Sequence, residues 1–293
     1  MKRVAIFAHY SSDSKIEDHV IYYLQGLNQV TDYIIFVSDS DIKESELQKI
    51  KNITTKSIAK HHGEYDFGSY KRGFIYAIEN NLLADCEELI FANDSCYAPL
   101  FPFTEMFNKM SNKKLDFWGA TQNSLNNYED GKIHIQSYFI VFKSNVFNSD
   151  CFKNFIFSIK KEDTKDDIIQ KYEIGLTLIL SKNGYKWDVY SDISKTTIQA
   201  FILKYKELII KDKIPFLKRS ITLRKNQPIV YPYRIKELIN KYTNYKYNLI
   251  KDDVKKNKIN INIIKFIIYL RKKFFRLHIY ERRIYLFGYW INW

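Results

Sequence analysis

The stretch Glu88-Leu89-Ile90-Phe91-Ala92-Asn93-Asp94-Ser95-Cys96-Tyr97-Ala98-Pro99 decides the fold. Leu89 to Ala92 is a short apolar run, the pattern of a buried central strand. It stops at Asn93-Asp94-Ser95, three small polar residues that favour turns. In open α/β sheets, ligands bind just beyond the carboxyl ends of strands. A carboxylate there can hold a hard cation, and the cation a diphosphate. A strand followed by a simple Asx turn accounts for the same residues, so the flanking stretches carry the decision.

Upstream, Val4 to Ala8 reads as a first strand, too short for a secretory leader. His9-Tyr10-Ser11-Ser12 follows as a loop. Val20, Ile21, Leu24, Leu27 and Val30 fall at helical spacing over 18–30. Tyr33 to Val37 is a second strand, Ser45 to Ile50 a short helix, and Thr54 to Ile58 a weaker third strand. This β-α-β-α-β order predicts a Rossmann-type α/β domain with a mostly parallel sheet. No G-x-G-x-x-G follows the first strand, which argues against a standard dinucleotide site.

Next comes His61-His62-Gly63-Glu64-Tyr65-Asp66-Phe67-Gly68-Ser69-Tyr70-Lys71-Arg72-Gly73. Loop chemistry here gives way to a helix starting near Gly68-Ser69 and running to about Asn80. A helix start attracts phosphate through its free N–H groups. Lys71 and Arg72 in a first turn oppose the helix dipole, and a bound anion would relieve that conflict. A solvated basic face is the alternative.

Downstream, Phe103 to Met110 reads as a helix and Asp116 to Thr121 as a strand. Gln122 to Gly131 reads as a polar mobile loop, and Ile133 to Phe142 as another strand. His134 and Gln136 share one face of that strand. Asn148 to Lys160 and Lys165 to Lys182 are helical, the second stopped by Asn183-Gly184 ahead of a strand at Tyr185 to Tyr190. Glu173 lies in an apolar neighbourhood, which would raise its pKa and suit a base. From about Thr196 the chain turns helical and basic.

The chain has 293 residues and a net charge of +13, which implies an anionic partner. Residues 251–293 carry 11 Lys and Arg against 3 Asp and Glu, a net +8. Basic side chains mixed with Trp, Tyr and Phe there suit an amphipathic membrane-surface tail. A helix packed on the core is the alternative. Cys86, Cys96 and Cys151 match no metal or redox spacing, so reduced thiols are expected. No run of about 20 uncharged apolar residues predicts a spanning helix. The expected layout is a catalytic domain over 1–205, a helical extension over 206–250 and the basic tail over 251–293.

Five segments, in order, resemble the rhamnan-synthesis protein F family. They are His62 to Lys71, Asn93 to Tyr97, Asp116 to Thr121, His134 to Phe139 and Tyr172 to Thr177. The resemblance covers about residues 3–235. It implies a GT-A-like glycosyltransferase of bacterial surface-polysaccharide assembly, such as capsule or lipopolysaccharide. The implied donor is dTDP-rhamnose, with UDP-galactofuranose or UDP-galactose as alternatives. Asn93-Asp94-Ser95 stands where the fold usually has Asp-x-Asp, so Asp94 is the expected ligand of Mg²⁺ or Mn²⁺. The resemblance assigns the donor to Tyr65, Asp66, Gly68, Ser69, Lys71, Arg72, Asn93, Asp94 and Ser95. It assigns the acceptor, a lipid-linked saccharide, to His134, Gln136 and Tyr138. Glu173, an acid expected at a helix start, is the base, with Asp116 the runner-up. The implied location is the cytoplasmic face of the bacterial membrane, peripherally bound. The competing classes are a single-stranded nucleic-acid binder and an inactive scaffold. Charge concentrated in the tail, with acidic and polar motifs elsewhere, argues against nucleic acid, and the single carboxylate of Asn93-Asp94-Ser95 keeps the scaffold open.

Overall fold

The computed structural model describes residues 1–124, 132–223 and 232–256, and the backbone of 278–280, 283–286 and 289–292. The chain forms two compact units, 1–217 and 218–293.

The first unit opens with β1 (Arg3–His9), α1 (Asp18–Asn28), β2 (Tyr33–Ser38), α2 (Glu44–Leu47), β3 (Lys56–Ala59), α3 (Tyr65–Glu79) and β4 (Glu88–Asn93). Then come β5 (Cys96–Tyr97), α4 (Phe103–Ser111), β6 (Phe117–Gly119), β7 (Gln122–Asn123), β8 (His134–Ile135) and β9 (Phe139–Lys143). After α5 (Ser144–Phe147) and α6 (Asp150–Ser158), α7 (Lys165–Ile168) continues through a π-helical turn, Ile169–Ile174, into α8 (Gly175–Lys182). Then β10 (Trp187–Val189) completes the sheet, followed by α9 (Ala200–Leu203) and α10 (Tyr205–Ile210).

Seven strands form one sheet in the order β10-β6-β9-β4-β1-β2-β3. Only β9 runs against its neighbours β4 and β6. This is the expected Rossmann-type α/β architecture with a mostly parallel sheet. The apolar run Leu89–Ala92 is its fully buried centre. Period-2 alternation sends its side chains to opposite faces. Leu89 and Phe91 join Phe67, Tyr70 and Phe74 of α3, Phe152 of α6 and Tyr172. On the other face, Phe7 meets Tyr23 edge-on at 5.0 Å, and Phe103, Phe139 and Phe216 pack together. Gly73 lets α3 lie directly on β1, since a Cβ there would stand 2.3 Å from Ile6 Cγ2.

Phe216 belongs to this core, so the first unit extends past the expected boundary at 205. The expected strand 133–142 is broken after Ile135. Gln136 N–H donates to the Thr121 carbonyl at 3.0 Å, and Tyr138 turns inward onto the ring of Phe201. Of the expected loop 122–131, Gln122–Asn123 is a short strand and 125–131 lies outside the described residues.

In the second unit, α11 (Ser220–Leu223), α12 (Pro232–Tyr242) and α13 (Tyr247–Lys256) give the expected helical character. Arg219 holds buried Asp253 through two hydrogen bonds of 3.0 and 2.9 Å. The tail departs from a purely helical extension. Residues 278–280, 283–286 and 289–292 form a three-stranded antiparallel sheet. The apolar run 259–270 lies outside the described residues. Among the described residues no helix is long and apolar enough to cross a membrane.

Candidate active site

Strand order reverses between β1 and β4, and the crevice outside their carboxyl ends is the ligand position of such sheets. Asn93 and Asp94 stand at that point. The Asp94 N–H donates to the Ala8 carbonyl at 3.2 Å, and the Tyr10 N–H donates to Asp94 Oδ2 at 3.1 Å. His9, buried at the end of β1, shares a hydrogen bond with Ser38 Oγ (2.9 Å) and puts Nε2 3.9 Å from Asp94 Oδ2. The loop after β1 thus frames the carboxylate, a role for His9 and Tyr10 that local sequence did not signal.

Asn93 acts at both ends of its amide. Its Nδ2 donates to Asp66 Oδ2 at 2.7 Å, and its Oδ1 accepts from Ser95 N–H (3.1 Å) and Ser95 Oγ (2.6 Å). Asp66, in the first turn of α3, is thereby drawn to the end of β4. Burial, then the charge of Asp94, push its carboxyl up to about 7. Glu173 adds to that rise, while Lys165 and the Asn93 amide oppose it. Three carboxylates from three elements therefore share one electrostatic neighbourhood.

Glu173 lies within the π-helical turn, not at a helix start. Such turns are rare and frequent at functional sites. Ser137 Oγ donates to Glu173 Oε2 at 2.8 Å, and His134 Nε2 is 3.6 Å from Oε1. His134 Nδ1 donates to the Lys132 carbonyl at 2.8 Å, which fixes the ring. Ser137 was missed in the sequence although it sits inside a motif, because the strand break after Ile135 decides where it points.

Several expected roles change. Helix α3 starts at Tyr65, ahead of Gly68, so Lys71 and Arg72 sit beyond its first turn and acidic Asp66 within it. The dipole conflict read from the sequence does not arise. Tyr65 is exposed, with a left-handed backbone (φ 56°). Arg72 binds Glu64 through both NH groups at 2.9 and 3.1 Å, and Lys71 Nζ donates to the Ile159 carbonyl at 2.6 Å. Both cations expected at the diphosphate are thus turned to protein groups. Gly68 N–H is bonded to the Glu64 carbonyl. Its lack of a side chain admits Glu64 and His62, since a Cβ would stand 2.3 Å from Glu64 Cβ. Buried Ser69 Oγ pairs with His62 Nε2 at 3.1 Å.

Asp116 is at the opposite end of the sheet. It precedes β6, which runs in the direction of β4, and its carboxylate accepts from Asn145 Nδ2 and Lys186 N–H, both at 2.7 Å. It is removed as a base for this crevice. On the acceptor side, Tyr138 is 3% exposed, with its hydroxyl 2.8 Å from Thr121 Oγ1. Gln136 Oε1 accepts from the same Thr121 hydroxyl at 2.8 Å. His134 is also buried. These residues build the wall behind Glu173 rather than a free acceptor surface. Among the described residues no group of three or more His, Cys, Asp or Glu is arranged to hold a metal ion.

The fold and the carboxylates at the carboxyl ends of its strands define a Rossmann-type α/β protein with a candidate ligand site at the reversal of strand order. The profile of the rhamnan synthesis protein F family matches residues 34–278, and the chain belongs to that family, one of polysaccharide synthesis. It is 30% identical over 200 residues to virulence protein VirA of Vibrio anguillarum, a match covering 66% of this chain and 60% of VirA. The chain therefore matches less than two thirds of that curated relative's length. Among solved structures it is similar to a cytidylyltransferase from Leptospira borgpetersenii, with 10% identity, 84% and 100% of the two chains covered and a TM-score of 0.41. It is also similar to the mannosyltransferase Ktr4p of S. cerevisiae in complex with GDP, with 10% identity, 64% and 69% covered and a TM-score of 0.39. Both likenesses are too distant to bear on function.

Proposed function

We propose that this protein is an inverting glycosyltransferase. It moves a sugar, rhamnose in the first instance, from a nucleotide-diphosphate donor to a growing bacterial surface polysaccharide. The observation that carries the reading is Asp94 just past the carboxyl end of β4, with Asp66 drawn to the same strand end by the 2.7 Å hydrogen bond from Asn93. Family membership in polysaccharide synthesis supports the class.

In this reading the acceptor hydroxyl gives its proton to Glu173. Its oxygen bonds to the anomeric carbon as the bond from that carbon to the diphosphate breaks. The electron pair leaves with the diphosphate. Ser137 holds one carboxylate oxygen of Glu173, which orients the base. The hard oxygen donors fit Mg²⁺ or Mn²⁺, which need only one or two carboxylates when substrate phosphates complete the shell. Asp94 and Asp66 would hold such a cation. When bound it would offset charge developing on the leaving diphosphate.

The Glu173→Gln variant tests the assignment. It keeps the side chain's size but cannot take the proton, so kcat should fall by about 10²-fold or more while donor affinity stays. Unchanged turnover would reject Glu173 as the base. A turnover screen with dTDP-rhamnose, UDP-galactose and UDP-galactofuranose separates the donors.

The basic tail favours a lipid-linked acceptor at the cytoplasmic membrane face, since a net +8 attracts anionic headgroups. The full chain should then sediment with anionic vesicles and a chain ending at Lys256 should not. This cut keeps the Arg219–Asp253 pair, which an earlier stop near 248 would remove. Equal sedimentation of both would reject the tail as an anchor.

A further inference from the structure

Lys71 donates to the carbonyl of Ile159, and Ile159 opens the segment leading to α7. That segment is tied from its other side as well. The Lys160 N–H donates to the Tyr172 hydroxyl at 3.1 Å, and that hydroxyl donates to Glu162 Oε1 at 2.7 Å. Lys171 pairs with the second oxygen of Glu162. The Tyr172 ring lies 5.8 Å from Phe67 in the first turn of α3. The segment is therefore pinned beside the start of α3.

It carries Lys160, Lys161 and Lys165, all exposed. The stem of Lys161 passes over Gly63, with Cε 3.6 Å from where a Cβ would stand. Gly63 is in the left-handed region (φ 71°) and leads into α3. Lys165 is the cation whose charge acts on Asp66 at the end of β4. Among the described residues neither Lys161 nor Lys165 closes an ion pair. Both lysines thus lie on a segment that geometry holds against the start of α3, the helix whose Asp66 reaches the end of β4, while the cations of α3 itself are engaged by Glu64 and Ile159.

We propose that Lys161 and Lys165 bind the diphosphate of the donor, and that Lys71 is a positioning residue for the segment that presents them. A lysine ammonium binds phosphate as a point charge, without the forked geometry of arginine. This inference rests on reading the crevice as a nucleoside-diphosphate site.

Calorimetric titration of the full chain with dTDP, UDP and GDP tests it. Wild type should bind at least one of the three. The Lys161→Ala/Lys165→Ala variant should bind that ligand about tenfold or more weakly, with a shallower salt dependence. Its melting temperature should match wild type, since both side chains are exposed. Lys161→Arg/Lys165→Arg should restore most of the affinity. Affinity within twofold of wild type in the double alanine variant overturns the inference and leaves the diphosphate site standing. If wild type binds none of the three, the diphosphate reading falls, and the inference with it.

Discussion

The two ends of the central sheet use the same kinds of residue in opposite ways. At the amino end of β4, Glu88 is buried between Arg3 Nε at 2.5 Å and Lys143 Nζ at 2.6 Å. Asp116, at the same end and two strands away, is capped by Asn145 and the Lys186 N–H. Glu88 there is matched by two cations, and Asp116 by two neutral donors. At the carboxyl end, Asp66, Asp94 and Glu173 share a neighbourhood, and Asp66 is pushed up to about 7. Paired charge at one end secures the strands. Like charge gathered at the other is the arrangement that the proposed site would use for chemistry.

The largest expected effect breaks the comparison at the carboxyl end. Asp94→Ala should lower turnover by about 10²-fold or more, the scale of losing a main electrostatic element of a site. Its melting temperature should not fall. Wild-type turnover in that variant would take Asp94 out of the site and remove the contrast.

The amino end should show the reverse. Glu88→Gln leaves two cations facing a neutral amide, and breaking a buried ion pair costs about 3 kcal/mol. Denaturant titration should register that loss while kcat holds. Full stability in the variant would mean that burial of apolar strands, not charge, secures this end.

The smallest effect sharpens the comparison by pH. The Asp66 carboxyl is raised from its ordinary 3.8 to about 7 in the folded protein. The folded state therefore keeps a proton that the unfolded chain releases. This costs stability progressively as pH rises from about 4 to about 7, after which the cost is constant. Asp66→Asn removes that cost. Its melting temperature should exceed that of wild type at about pH 8, with the gap closing towards about pH 4. A gap that does not vary with pH would show that Asp66 carries no raised pKa.

Much of the frame was legible because it is local. The apolar runs at Val4–Ala8, Tyr33–Val37 and Leu89–Ala92 each encode a buried strand through composition alone. Alternation of these runs with amphipathic helices set the parallel core of the sheet. The polar stop at Asn93-Asp94-Ser95 placed a carboxylate at a strand end, and the helix stop at Asn183-Gly184 was clear. The order of five short motifs carried the family.

What tertiary structure alone decided was the company each side chain keeps. Asp116 and Asp94 both flank strands, but one precedes its strand and the other follows, so they lie at opposite ends. Lys71 and Arg72 looked like a phosphate clamp until Ile159 and Glu64, distant by 88 and 8 residues, were folded against them. The π-helical turn that contains Glu173 leaves no mark in the hydrophobic period of 165–182. Asn93 looked like a missing carboxylate, yet its amide brings Asp66 from α3 to the end of β4. Periodicity reports which face of an element is apolar. Which charges meet across that face depends on chain crossings that no local window contains.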